Sequence, residues 1–95
     1  MTKKQLKKLM GTDLPYSEMT ETFSVFVGLE ILRSRIETAD ITAAEHDIVY
    51  TNVSVKAAVN AGFTENEILV LRKNNWMLDD DNGLNDETTV FAKFV

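Results

Sequence analysis

Apolar residues recur at helical spacing through most of the chain and predict about four helices. In the first, residues 2–10, three apolar side chains share one face at i, i+3, i+4 spacing, and lysines cover the rest of the surface. Thr2 is suited to cap the N-terminus and Gly11 to end the helix. A helix this short must pack on the rest of the chain to persist. Its apolar residues are Leu6, Leu9 and Met10.

The second predicted helix, residues 17–38, carries two apolar stripes. A helix on the surface of a globular protein normally shows a single stripe, so two stripes indicate packing on two sides. We therefore expect this helix to be central or to contact another molecule. The first stripe consists of Val25, Leu29, Leu32 and Ile36, and the second of Phe23, Phe26, Val27 and Ile31.

The third helix is predicted over residues 43–61. Thr42 and Glu45 have the spacing of a capping box, and Gly62 is a C-terminal stop. The run 48–55 is rich in β-branched residues, which are typical of a strand, and a strand remains the alternative there. We interpret the run as helix because a cap precedes it and no turn residue interrupts it.

The fourth predicted helix follows Thr64 and ends near Lys73, with acids in its first turn and bases in its last, as the helix dipole favours. The span Ser54–Lys73 resembles a helix-turn-helix, which implies a DNA-binding transcription regulator whose contacts include Thr64, Asn66 and Lys73. Two glutamates stand where that helix would meet phosphate, so we expect no DNA binding at physiological salt. The matching positions are Ala58, Gly62, Phe63, Ile68 and Leu71.

The C-terminal part divides into an acidic loop at 79–87 and an extended segment at 88–95. The loop fails as a calcium-binding EF-hand, because Leu78 and Thr89 fall where that motif needs Asp and Glu. Aromatic and β-branched residues favour a strand after it. We expect this segment to be an adhesive tail that anchors a partner and can be deleted without unfolding the helices. Its anchors are Phe91 and Phe94.

Composition excludes several classes of function. The 95 residues include no cysteine, which excludes a disulfide scaffold, thiolate zinc sites and thiol catalysis. The net charge of −5 disfavours generic nucleic-acid binding, although the first ten residues carry four lysines and no acid. No apolar run approaches 18 residues and no signal-peptide core follows the start, so we expect a cytoplasmic chain without a membrane span.

Catalytic chemistry finds little support. His46 is the only histidine, and no motif supplies the nucleophile or metal that it would need as a general base. A typical transition-metal site needs a second histidine or a cysteine. We expect no enzyme activity, no cofactor and no metal.

These patterns predict a mainly α-helical single domain over residues 1–95, a bundle of about four helices with an acidic loop and a short extended C-terminal segment. We expect a small non-enzymatic adaptor, inhibitor or assembly subunit that binds another protein or itself. Small acidic chains without cysteine occur among phage-encoded regulators, which is an analogy only. The expected partner-binding residues are Phe23, Phe26, Leu29, Leu32, Ile36, Trp76, Phe91 and Phe94.

Overall fold

A computed structural model describes residues 1–12, 21–79 and 87–94, with the backbone alone for residues 21–23. It contains four helices and a four-stranded antiparallel sheet, so the chain has an α/β fold and the expected mainly α bundle is wrong. The helices are α1 (Lys3–Met10), α2 (Glu21–Arg33), α3 (Val55–Ala61) and α4 (Glu65–Lys73). The strands are β1 (Ile41–Glu45), β2 (Ile48–Ser54), β3 (Trp76–Asp79) and β4 (Val90–Phe94).

The sheet has the strand order β1-β2-β4-β3, and every neighbouring pair is antiparallel. The C-terminal strand β4 therefore lies between β2 and β3, where it pairs Tyr50 with Ala92 on one side and Leu78 with Phe91 on the other. The extended conformation predicted for this segment is confirmed. Its expected role as a detachable tail stays a prediction, and the position of β4 as an inner strand bonded to two neighbours argues against it.

The helix predicted over 43–61 is also wrong for most of its length. Thr42 and Glu45, the supposed capping box, lie in β1, and only Val55–Ala61 is helical. The β-branched run forms β2, which gains two strand partners that no helix could offer it. His46 and Asp47 join the two strands as a two-residue turn, with φ of 51° and 63°.

Local signals located the remaining helices more accurately. Helix α1 is confirmed, with Thr2 accepting a hydrogen bond from the Gln5 backbone N–H at 3.1 Å. Helix α4 is confirmed, with Thr64 as its cap, and Gly62 ends α3 at φ 78°. Helix α2 ends at Arg33, five residues before its expected end, and positions 17–20 lie outside the described residues.

The core lies between the helices and one face of the sheet. Trp76 and Phe91 contribute the largest side chains from the sheet, and both are fully buried. The four helices are brought together on this one face because their core side chains all meet the same cluster. The helical members of the cluster are Leu6, Met10, Leu32, Val55, Ala58, Ile68 and Leu71.

Close packing of Trp76 against α2 explains the glycine at position 28. The indole N–H donates to the Ser24 carbonyl at 3.1 Å, and a Cβ built on Gly28 would overlap the indole ring. Ser24 and Gly28 are one turn apart, so the ring lies along this strip of the helix. Gly28 therefore marks a close contact between α2 and the sheet.

A buried hydroxyl completes the sheet where β2 bulges away from β4. The register between the two strands shifts between Tyr50 and Ser54. Within this gap the Thr51 hydroxyl donates to the Phe91 carbonyl at 2.8 Å and accepts from the Val53 N–H at 3.2 Å. The side chain thus replaces ladder bonds that the bulge would leave unmade in the interior.

Most of the expected acidic loop lies outside the residues that the structure describes. Asp79 ends β3, positions 80–86 are not among the described residues, and Glu87 lies in a turn before β4.

Among the helices that the structure describes, none combines the length and apolar character needed to cross a membrane.

Candidate partner-binding surface

Strand pairing assigns a second apolar face to the sheet, opposite the core. Cross-strand partners share a face and successive residues alternate. Trp76 and Phe91 point to the helices, so Met77 and Ala92, which pair with one another, point away. Tyr50 pairs with Ala92 and therefore shares that orientation. We call this the outer sheet face, formed by Ile48, Tyr50, Met77, Val90, Ala92 and Phe94.

The outer sheet face has an apolar centre and an exposed aromatic ring, and it is flanked by Asp79, which pairs with Val90, and by Glu45, which pairs with Ile48. Ala92 is fully buried although it does not belong to the core cluster. Ile48, Tyr50 and Met77 are half-buried. Phe94, which pairs with Ile48, is 56% exposed. A large ring exposed beside half-buried apolar side chains is typical of a protein-binding surface.

A second apolar patch lies on the helical layer. Phe26 is 64% exposed and lines a shallow depression of about 240 Å³ on α2. Leu29, Glu30 and Arg33 line the same depression, so apolar and charged side chains lie side by side there. Arg33 is held by its bond to the Ala39 carbonyl at 2.8 Å. We call this group the α2 patch; it resembles the apolar-centre, polar-rim organisation of interfaces.

The other residues expected to bind a partner lie elsewhere. Leu32, Trp76 and Phe91 are fully buried in the core, and Ile36 packs against it half-buried in the turn after α2. The side chain of Phe23 is outside the described residues. The two aromatic residues that remain exposed, Phe26 and Phe94, come from opposite layers of the fold.

The helices of the DNA-binding interpretation exist, but α4 is a central helix and contacts α1, α2 and β3. Thr64 is exposed, yet its hydroxyl accepts the Glu67 N–H at 3.2 Å as the helix cap. Asn66 and Lys73 are exposed near the opposite ends of the helix. Glu65 stands exposed in the first turn, where it would repel a phosphate.

An electrostatic cluster ties the start of α4 to the chain after α2. The Glu67 carboxylate accepts from Arg35 at 2.8 Å and from the Thr64 N–H at 2.9 Å. Partial burial by itself raises the pKa of Glu67, but these hydrogen bonds outweigh it and hold the pKa below its ordinary value of 4.5. The cluster has a structural role, because its charges already satisfy one another.

A second ion pair lies beside the basic N-terminal helix. Lys56 and Glu87 are 2.7 Å apart and exposed. Their hydrogen bond and mutual attraction raise the pKa of Lys56 and lower the pKa of Glu87, and Lys3 adds to the effect on Glu87. Lys3 of α1 therefore lies near an acid from the C-terminal part of the chain, and pairs this exposed contribute little to stability.

The expected absence of enzyme activity and of a cofactor stays a prediction. His46 lies exposed in the β1–β2 turn. Within the ranges 1–12, 21–79 and 87–94, no group of three His, Asp or Glu side chains could hold a metal ion.

Sequence reasoning missed most of the outer sheet face. Ile48 and Tyr50 were assigned to a helix, and Met77 to the chain after one. The available signal was the β-branched run over 48–55, which as a strand would have paired with residues 90–94.

A scan against protein-family models, a search of the curated proteins and a search of the solved structures each found no match.

Proposed function

We propose that the chain is a small non-enzymatic protein-binding protein, an adaptor or assembly subunit with two contact surfaces. One observation supports this most directly: Phe26 and Phe94 are each more than half exposed, on the helical layer and on the opposite sheet face. Two separate apolar surfaces suit a protein that joins partners. Burying one phenylalanine contributes about 1.5–3 kcal/mol to binding.

The helix-turn-helix interpretation receives less support. Helix α4 uses Thr64 to cap itself and packs on three neighbouring elements. Its first turn carries two acids, Glu65 and Glu67, and the chain has a net charge of −5. The two glutamates and the negative net charge oppose the electrostatic attraction that supplies most nonspecific DNA affinity.

The test compares partner capture by the immobilised chain and by single variants, using lysate of the cells that express it naturally. Phe26→Gln introduces a good helix former in α2, and Phe94→Thr introduces a residue that suits a strand in β4, so the fold should persist. We expect each variant to lose a captured protein, with affinity reduced roughly tenfold to a hundredfold.

The control is Val70→Gln, at an apolar side chain on α4 that is 40% exposed and lies on neither surface. It should capture the same proteins as the unmodified chain. Equal capture by all three variants would contradict the proposal, and so would loss of capture in the Val70 variant alone.

A further inference from the structure

Strand β1 is an edge strand whose five residues are all exposed. It pairs with β2 on one side, and the described part of the chain places no strand on the other. None of the β1 residues belongs to the core cluster, so no helix of that cluster covers either face of the strand. An edge of this kind offers unpaired N–H and C=O groups to another strand.

The turn determines which backbone groups point outward. A two-residue turn closes on a hydrogen-bonded pair, here Glu45 with Ile48. The next pair, Ala44 with Val49, is then a non-hydrogen-bonded pair, so the N–H and C=O of Ala44 point to the open edge. The Asn52 N–H donates to the Asp40 carbonyl, so the register shift between positions 41 and 43 is a bulge that turns the Thr42 N–H toward β2 and leaves the Thr42 C=O at the open edge.

Side chains on β1 permit self-pairing in one direction only. Glu45 is the one charged residue of β1, and Asp40 immediately precedes the strand. Parallel pairing of two copies would place each of these carboxylates opposite its counterpart, which is unfavourable. Antiparallel pairing about Ala43 places Glu45 across from the second copy's Ile41, and Asp40 across from the second copy's His46.

We propose that two copies of the chain pair antiparallel through β1, about a twofold axis at Ala43. The Ala44 N–H of each copy donates to the Thr42 C=O of the other copy, which gives two symmetric backbone hydrogen bonds. The small Ala43 side chains meet at the axis, where backbones approach most closely. The result is a continuous eight-stranded sheet whose two outer sheet faces adjoin. This surface is independent of Phe26 and Phe94, so the proposal can fail without the proposed function failing.

The first test is the dissociation constant of the dimer by sedimentation equilibrium between about 1 and 200 µM. Ala44→Pro removes the outward N–H, and proline is tolerated where an edge N–H faces solvent. We expect it to weaken the dimer at least about tenfold, since two symmetric hydrogen bonds are lost. Ala44→Thr keeps the N–H and should dimerise like the unmodified chain. A chain that stays monomeric throughout this range overturns the proposal.

The second test does not depend on proline being tolerated. The natural chain has no cysteine, so a single-cysteine variant can form only one kind of disulfide. Ala43→Cys places two thiols at a non-hydrogen-bonded pair with Cα atoms about 4.5 Å apart, within disulfide range. We expect rapid covalent dimer formation with oxidised glutathione, several-fold faster than for Ala44→Cys. Equal or slower cross-linking of the Ala43 variant overturns the axis at that residue.

Discussion

Single residues hold the two layers of this fold together, and Gly28 is the clearest of them. Its missing side chain admits the Trp76 ring, whose N–H reaches a carbonyl one turn earlier. A helix interior normally prefers alanine to glycine by about 1 kcal/mol. The structure predicts that contact with Trp76 reverses this preference.

We expect Gly28→Ala to lower the free energy of unfolding by about 1–3 kcal/mol, because overpacking exceeds the gain in helix propensity. Urea unfolding followed by Trp76 fluorescence measures it, with a single tryptophan in the chain. The control is Gly11→Ala, where a Cβ would meet only ordinary contacts at 3.5 Å or more. An equally or more stable Gly28 variant would show that the ring does not pack there.

The β1–β2 turn is a second site where single residues determine stability. His46 and Asp47 both adopt positive φ, a conformation that costs most residues about 1–2 kcal/mol. Asparagine followed by glycine is the preferred pair for such a turn. The double variant His46→Asn/Asp47→Gly should raise the free energy of unfolding by about 1 kcal/mol, measured by urea unfolding.

Gly62 provides a control for that experiment in which the opposite change in stability is expected. It also has positive φ, at 78°, and a Cβ there would meet no atom within 4 Å. Gly62→Ala should therefore destabilise by about 1 kcal/mol through backbone conformation alone. If the turn variant is less stable than the natural chain, the assigned turn geometry is wrong.

At the scale of elements, α4 is positioned by a charge cluster that titrates. The pKa of Glu67 is lower in the folded chain than its ordinary value of 4.5, so the folded state favours its ionised form. The resulting stabilisation is fully present above that ordinary value. It is lost as the pH falls through the lowered pKa of the folded state.

We expect Glu67→Gln to be less stable than the natural chain at pH 7, and this difference to shrink as the pH falls below 4.5. Glutamine can still accept the Thr64 N–H, so the variant removes mainly the charge that holds Arg35. Thermal unfolding between pH 2 and 7 measures the difference. Glu65→Gln, an exposed change in the same turn, should show a smaller pH dependence; an equal one would contradict the role of the cluster.

For the whole molecule, the consequence of the topology is that the last strand belongs to the core. Strand β4 pairs with both β2 and β3, and Phe91 is fully buried among the helices. Deleting residues 88–95 should therefore unfold the chain, with loss of the helical circular dichroism signal and of Trp76 burial. The point variant Phe94→Thr is the control and should retain both. A helical, folded truncation would restore the idea of a detachable tail.

Part of the fold follows from local sequence alone. Thr2, Thr64 and Gly62 form caps and a stop whose hydrogen bonds lie within a few residues of themselves, so α1, α4 and the end of α3 could be located correctly. The β-branched and aromatic composition of residues 88–95 likewise indicated a strand. Of the residues that the sequence named for partner contact, Phe26 and Phe94 are exposed, whereas Leu32, Trp76 and Phe91 lie in the core.

The tertiary structure decided the rest, because the relevant partners are distant in the chain. The run 48–54 becomes a strand by pairing with residues 90–94, forty positions later, and no helical pattern within the run reveals that partner. Phe91 and Phe94 have similar sequence surroundings, yet alternation across β4 buries one and exposes the other. Which apolar residues became core and which became surface depended on the face of the sheet that the helices cover.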